Sequence, residues 1–341
     1  MKILFMTPEC SNDVSWMSMH HLEHAVGEIA ECAWAGPNHP LHVKGENLND
    51  TVRRVMPDAD WVIIQERGLT RFKNAVKIPP VRECRVAYST SDIHWNPEMI
   101  LKRLNGGNWD AFLMLATRTA LGIYVNPKGE RKMEPVDPDY YLKHLNAPVF
   151  YLAPSVNPQI FKPLDEPKTH DVAFLGDHHR RYYPLRADIW GGLPGLAERS
   201  GWRALIRGVP PGRSFVSRNI DKLLEQGYIV GSKYAEALAR SRAFIFGTSL
   251  FKYAGKKLVE GMSCGACCLS DTPLSAEELH YVADWNYVEI GMGNWAERLS
   301  HYLRHEEQRE EIARNGYDTA VKYHTSDVRA AQLVKFLEEQ S

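Results

Sequence analysis

The amino-acid sequence predicts an α/β protein made of two Rossmann-like, doubly wound parallel-sheet domains that face a cleft. Three observations lead there. The chain has 341 residues, more than one core of ordinary size carries, so two domains of roughly 150 to 180 residues are expected. Short apolar runs recur with helix-length segments between them, and they are continuous rather than alternating, as in strands covered on both faces. The same pattern then restarts after a proline-rich stretch.

Along the chain, Lys2-Ile-Leu-Phe-Met6 reads as a buried strand, and Leu22, Ala25, Val26 and Ile29 follow at helical spacing. Further strands are expected at 61–64, 85–88, 111–115 and 149–152. Pro154-Ser-Val-Asn-Pro158 and Pro163-Leu-Asp-Glu-Pro-Lys-Thr169 suit a linker, which places the boundary near 165. Strands then resume at 172–175, 203–206, 243–246, 267–269 and 287–290, with helices over about 185–199, 232–241, 255–263 and 295–314. From Ser326 onward, Ala330, Val334 and Leu337 share one face of a final amphipathic helix. The expected division is 1–165, 166–325 and the closing helix 326–341.

Lysine plus arginine number 41 against 42 for aspartate plus glutamate, a formal charge of -1. No global basic field recruits nucleic acid or an anionic membrane, so any polyanion must be held locally. The first apolar run is too short for a signal peptide, and no stretch approaches the roughly 20 apolar residues of a membrane span. A cytoplasmic protein is expected. Six cysteines scattered at 10, 32, 84, 264, 267 and 268 read as reduced thiols rather than a disulfide framework.

Two open parallel sheets in series place their ligand crevices at the carboxyl ends of the strands, which suits a two-substrate enzyme. The loop after the first strand, Thr7-Pro-Glu-Cys-Ser-Asn-Asp13, has neither a dinucleotide fingerprint nor a Walker loop. The most informative stretch is Phe244-Ile-Phe-Gly-Thr-Ser-Leu-Phe-Lys-Tyr-Ala-Gly-Lys-Lys-Leu-Val-Glu260-Gly-Met-Ser-Cys-Gly265. A buried strand ends at Gly247, and a helix opens near Gly255 with Lys256 and Lys257 in its first turn. Amides at a helix start bind phosphate, Gly255 admits a ligand to the backbone, and either lysine adds full charge. Lysine early in a helix opposes the macrodipole, a conflict that a nearby anion repairs. Glu260, one turn on, is an acceptor for a pair of sugar hydroxyls. Residue types alone leave a second reading equally open, in which the lysines are solvated and Glu260 pairs with one of them.

This stretch, with Gly227-Tyr-Ile-Val-Gly-Ser-Lys-Tyr-Ala-Glu-Ala-Leu-Ala-Arg-Ser-Arg-Ala243 before it, resembles the C-terminal domain of group 1 glycosyltransferases of GT-B fold, most closely the CgeB-like (spore maturation protein) branch. The resemblance runs from about Val172 to Lys335 and takes in Ala153-Pro-Ser-Val-Asn-Pro-Gln-Ile-Phe-Lys-Pro163, Val172-Ala-Phe-Leu-Gly176 and Asn315-Gly-Tyr-Asp-Thr-Ala-Val-Lys-Tyr-His-Thr325. It implies that Glu260 holds the donor's ribose, that Gly255 to Lys257 meets the diphosphate, and that Tyr228 to Lys233 lies near the base. It implies too that the last helix returns to the N-terminal domain. Gly176 ends the first strand of the second sheet, and Arg180, Arg181 and Arg207 follow strands of that sheet as spare cations for the diphosphate. Many group 1 enzymes carry a second glutamate eight positions before the ribose glutamate. Here that position is Lys252, so the resemblance does not carry over the usual sugar contact or a retaining mechanism of the usual form.

The activity implied is metal-independent transfer of a sugar, of hexosyl type, from a nucleoside-diphosphate sugar to an acceptor hydroxyl. The donor is a substrate, and no cofactor is called for. Charge developing on the leaving phosphate is stabilised by helix amides and cations, so no essential ion is expected. In the first half, Ser89-Thr-Ser-Asp92-Ile-His94-Trp95 follows a buried strand; Asp92 and His94 are candidates for handling the acceptor hydroxyl, with Asp13 a third. A polar loop that merely caps a helix accounts for the same residues. Alternatives are a sugar-nucleotide epimerase or hydrolase, and a non-catalytic sugar-nucleotide-binding protein.

Several patterns are set aside. His20-His-Leu-Glu-His24 matches a zinc-protease motif, yet both histidines project away from the apolar face. Cys264-Gly-Ala-Cys267 lacks a second ligand pair, and Asp137-Pro-Asp139 reads as turn chemistry. His178-His-Arg-Arg-Tyr-Tyr183 invites a nucleic-acid reading, which the neutral total charge weakens in favour of a small phosphorylated donor. The acceptor is left open among a small molecule, a glycan, a protein and a modified nucleic-acid base.

Overall fold

The computed structural model describes residues 1–66, 76–125, 129–209 and 219–341. The chain divides into two compact units. The first comprises Met1–Ser11, Met19–Ala153 and Asp327–Ser341, the second Asn12–Ser18 and Pro154–Ser326.

The first unit is built on a six-stranded sheet ordered β10-β7-β6-β4-β1-β2, every neighbouring pair parallel. Its strands are β1 (Lys2–Met6), β2 (Glu31–Trp34), β4 (Trp61–Gln65), β6 (Arg85–Thr90), β7 (Ala111–Met114) and β10 (Val149–Tyr151). Two short pairs stand outside it, β3 (Glu46–Asn47) with β5 (Val76–Lys77), and the hairpin of β8 (Leu121–Val125) with β9 (Arg131–Pro135). Both faces of the sheet are covered, which is why β1 is apolar at consecutive positions. Ile3 and Phe5 pack with Leu22 and Val26 of helix α1 (Met17–Gly27) and with Ala330, Leu333 and Leu337. Leu4 and Met6 face the other way, onto Leu48 and Val52 of α2 (Leu48–Val55). Among the described residues the remaining helices of this unit are α3 (Pro97–Asn105) and α4 (Tyr140–His144).

The second unit has a parallel five-stranded sheet ordered β12-β11-β13-β14-β15: β11 (His170–Leu175), β12 (Ala204–Arg207), β13 (Ser241–Ile245), β14 (Cys267–Ser270) and β15 (Val288–Glu289). Its helices are α5 (Pro184–Ser200), α6 (Ile220–Glu225), α7 (Ser232–Ala239), α8 (Lys256–Ser263), α9 (Trp295–Arg304) and α10 (Glu306–Tyr323). Val172, Phe174 and Ile245 meet Leu185, Ile189 and Leu193 of α5, with Leu299 of α9 beside them. On the opposite face α8 comes very close to the sheet at Gly261, where a Cβ would stand 2.5 Å from Cys268 Sγ and 2.7 Å from Phe244 Cδ1. Only glycine fits there, and Cys264, Cys267 and Cys268 are buried in this core as small apolar residues. The chain ends in α11 (Ser326–Glu339), whose apolar face completes the first unit's core.

Two sequence expectations are corrected. The single helix expected over 295–314 is two, because His305 adopts φ -104°, ψ 83° and breaks the turn between α9 and α10. Ile29, placed on the core face of the first helix, lies beyond its end at Gly27 and is 53% exposed. Among the described residues no helix is long and apolar enough to cross a membrane.

Candidate functional site

In the second sheet, the connection from β11 runs out to β12 and the chain then returns to the other side of β11 as β13. The strand order reverses between β11 and β13, and the carboxyl ends beside such a reversal are where open α/β sheets bind ligands. Leu175–Gly176 and Ile245–Gly247 end those strands. Gly176 has φ +125°, a region side chains rarely enter, and a Cβ on it would stand 2.7 Å from Lys257 Nζ. The glycine therefore makes room for the lysine.

Lys257 is half-buried, with its ammonium turned inward. Its ammonium donates to Leu175 O at 2.6 Å and to Tyr234 Oη at 3.2 Å, and lies 5.1 Å from the centre of the Tyr234 ring. Burial, aided by repulsion from Arg186, brings its pKa down to about 7. Arg186, in the first turn of α5, is 9% exposed; it donates to Gly247 O at 2.5 Å and to Asp177 O at 3.4 Å, and stacks 4.0 Å from the Tyr183 ring centre. Burial lowers its pKa as well. Among the described residues, both cations meet carbonyl and phenol oxygens rather than carboxylates. Two buried positive charges without directly bonded carboxylates are costly, and an anionic ligand removes that cost.

Both cations line a small cavity of about 40 Å³, together with Gly255, Thr248, Ser249 and Tyr253. Gly255 is the N-cap of α8 and has no capping side chain; a Cβ there would meet nothing within 4 Å. The helix start is thus open toward this cavity. Glu260, one turn further on, accepts from Tyr234 Oη at 3.1 Å, and burial with the Glu260 charge beside it pushes the Tyr234 pKa well up, so the phenol stays protonated. Lys256 points elsewhere, to Ser15 O at 3.3 Å and Ser18 Oγ at 3.1 Å, and is not part of the cavity lining. Lys252 has φ +54° and pairs with Asp271.

A second cavity of about 390 Å³ lies at the ends of β11 and β12, lined by His178, Trp190, Arg207, Gly208 and Gly227 to Ile229, Tyr228 included. His178 stacks on Trp190 with ring centres 4.0 Å apart and planes 7° apart. Arg180 and Arg181 are exposed and line neither cavity. Sequence reasoning missed Arg186 and Asp271. The first sits among helical apolar positions and the second reads as a loop residue, so neither carried a signal.

In the first unit, Asp92 and His94 follow β6 as expected. His94 is 7% exposed, and its burial depresses the imidazole pKa. The cap of α3 is Asn96, whose side chain accepts from Met99 N. Asp13 Oδ1 accepts from Ser15 N at 2.8 Å in the turn leading to α1, a local structural use of that carboxylate. His24 is exposed and stacks on Trp34, and His20 lies 4.2 Å from it, centre to centre. Among the described residues no group of three His, Cys, Asp or Glu side chains has a metal-binding arrangement. Asp139 N donates to Asp137 Oδ1 at 2.9 Å, the turn read from that motif.

Residues 172–335 match the family model Glyco_trans_1_2, described as glycosyl transferase-like. Over those residues the chain is similar to a glycosyl transferase-like domain. Solved GT-B structures cover the whole chain. Anabaena HepE in complex with UDP-glucose matches at 11% identity with a TM-score of 0.62, covering 99% of this chain and 100% of its own. Sucrose-phosphate synthase from Thermosynechococcus elongatus matches at 10% identity and TM-score 0.59, covering 99% and 98%. A glycosyltransferase from Rickettsia africae matches at 11% and 0.58, with the same coverage. At these identities the likeness establishes the fold: two parallel-sheet α/β domains of GT-B type. A search of curated proteins found no match.

Proposed function

We propose that this GT-B protein is a metal-independent glycosyltransferase that moves a hexose-type sugar from a nucleoside diphosphate to an acceptor hydroxyl. The observation that carries the reading is the pair of buried cations, Arg186 and Lys257, beside the uncapped start of α8 at the strand-order reversal. The diphosphate lies against these cations and the amides that open at Gly255. Glu260 accepts the ribose hydroxyls, and the base enters the larger cavity beside Arg207 and Tyr228. The UDP-glucose bound by Anabaena HepE makes UDP-sugars the first donors to assay.

In the reaction, the bond between the anomeric carbon and the β-phosphate oxygen breaks, its electron pair leaving with the diphosphate. A new bond forms to the acceptor oxygen, whose proton passes to a base. Charge grows on the leaving phosphate, where Lys257, Arg186 and the α8 amides meet it without needing a bound ion. His94, held neutral by burial, is the base in this reading, with Asp92 beside it. Arg180, Arg181 and Lys256 play secondary parts at most.

Calorimetry with UDP, GDP, ADP and TDP, followed by turnover assays with and without acceptors, tests the proposal. Tight binding of one diphosphate and acceptor-dependent release of it support transfer. Release without an acceptor marks an epimerase or hydrolase, and binding without turnover a non-catalytic protein.

A further inference from the structure

Lys252 is held in a way that its local sequence does not explain. Its φ of +54° is a strained conformation for a residue with a side chain. The strain is fixed on both sides: Lys252 N donates to Ser249 O at 2.9 Å, and Leu274 N donates to Lys252 O at 2.8 Å. These bonds place the residue between three segments that line the smaller cavity, Thr248–Ser249, Tyr253–Gly255 and Ser270 with Pro273. The side chain pairs with Asp271 Oδ2, the oxygen that also accepts from Thr248 Oγ1 at 2.7 Å, while Asp271 Oδ1 accepts from Thr248 N at 2.6 Å. Asp271 is 9% exposed and orients the ammonium, whereas the lysine side chain remains 40% exposed. An ammonium has three N–H donors, and the carboxylate takes one of them.

The cavity's own chemistry is one-sided. Its polar lining consists of Arg186, Lys257 and hydroxyl groups such as those of Thr248 and Ser249, with no carboxylate among the described residues. A neutral sugar offers mostly hydroxyls, which are recognised by acceptors as well as donors. Two cations in this lining, with the Lys252 ammonium held on Asp271 next to Thr248, match a ligand that carries negative charge as well as hydroxyls. The diphosphate accounts for Arg186 and Lys257. It leaves Lys252 over.

We propose that the transferred sugar is itself anionic, a hexuronate, and that Lys252, set by Asp271 and the strained turn at 249–252, binds its carboxylate. This rests on the donor reading above and narrows it to nucleoside-diphosphate uronates. The transfer step is unchanged, because the carboxylate sits on the sugar ring away from the anomeric carbon and is neither made nor consumed.

The test compares each nucleoside-diphosphate hexuronate with its parent hexose on the full chain, beginning with UDP-glucuronate against UDP-glucose and UDP-galacturonate against UDP-galactose, by calorimetry. The uronate should bind about tenfold more tightly or better, the worth of one charge-assisted hydrogen bond. Lys252→Met should bring the ratio near one, and Lys252→Arg should keep it. A wild-type ratio near or below one overturns the proposal whatever the variants do, as does a preference that survives Lys252→Met. If free nucleoside diphosphate binds but no uronate is preferred, only this inference falls. If no nucleoside diphosphate binds at all, the donor reading falls with it.

Discussion

The phenol of Tyr234 donates to Glu260 Oε2 at 3.1 Å. The Tyr234 phenol oxygen in turn accepts a hydrogen bond from Lys257 Nζ at 3.2 Å, so a helix-start cation and the carboxylate one turn later are coupled through one hydroxyl. In the proposed donor site, the other oxygen of Glu260 takes the ribose hydroxyls. Glu260→Ala should weaken binding of the preferred nucleoside diphosphate by more than about 1 kcal/mol, and Tyr234→Phe by less, with both proteins folded. Calorimetry decides it, and an unchanged affinity in Glu260→Ala removes this carboxylate from the site.

Donor affinity should depend on pH through Lys257. With its pKa at about 7 in the free protein, the lysine is largely charged below that pH and largely neutral above it. A bound diphosphate favours the charged form and raises the pKa. Affinity for a nucleotide sugar, whose diphosphate does not titrate here, should therefore be level below pH 7. It should fall by up to roughly tenfold per unit above it, until the pKa of the complex is passed. Lys257→Arg, always charged, should flatten the profile.

The arginines should separate sharply. Arg186→Ala should cost more than about 1 kcal/mol of diphosphate affinity, whereas Arg180→Ala and Arg181→Ala, exposed and outside both cavities, should each cost a few tenths at most. Titration of the three variants with the same diphosphate ranks them. Equal losses would count against the buried pair as the anion site.

Glu23 gives a stability prediction. It is buried in the first unit, accepts from Thr7 Oγ1 at 2.9 Å and Trp34 Nε1 at 3.2 Å on one oxygen, and its other oxygen has no partner among the described residues. Burial raises its pKa from 4.5 to about 8. The folded state then holds a proton that the unfolded chain releases, so stability is greatest below pH 4.5 as far as this group goes. It is lost progressively up to about pH 8, on the order of a few kcal/mol. Glu23→Gln should raise the thermal midpoint relative to wild type at pH 9 and leave little difference at pH 4, measured by calorimetric melts.

The elements legible in the sequence are those whose burial is two-sided. β1, β4, β7 and β13 are buried at nearly every position, which writes itself as a continuous apolar run. β2 at the sheet edge is partly exposed, and β9 is largely exposed with the sequence Arg131-Lys-Met-Glu-Pro135, so neither stood out. At the site, Gly255, Lys257 and Glu260 could be read because a glycine before paired lysines at a helix start has few structural uses. Which lysine turns inward depends on the helical phase set by Gly261 against Phe244, a contact between residues far apart in sequence. Arg186 and Asp271 depend on such contacts entirely.

The closing helix has a consequence for the order of biogenesis. Residues 154–326 of the second unit emerge from the ribosome before α11, yet Leu333 and Leu337 belong to the core around Ile3 and Phe5. During synthesis the later-made unit can finish folding first, while the nascent first unit waits with one sheet face incompletely covered until α11 has emerged.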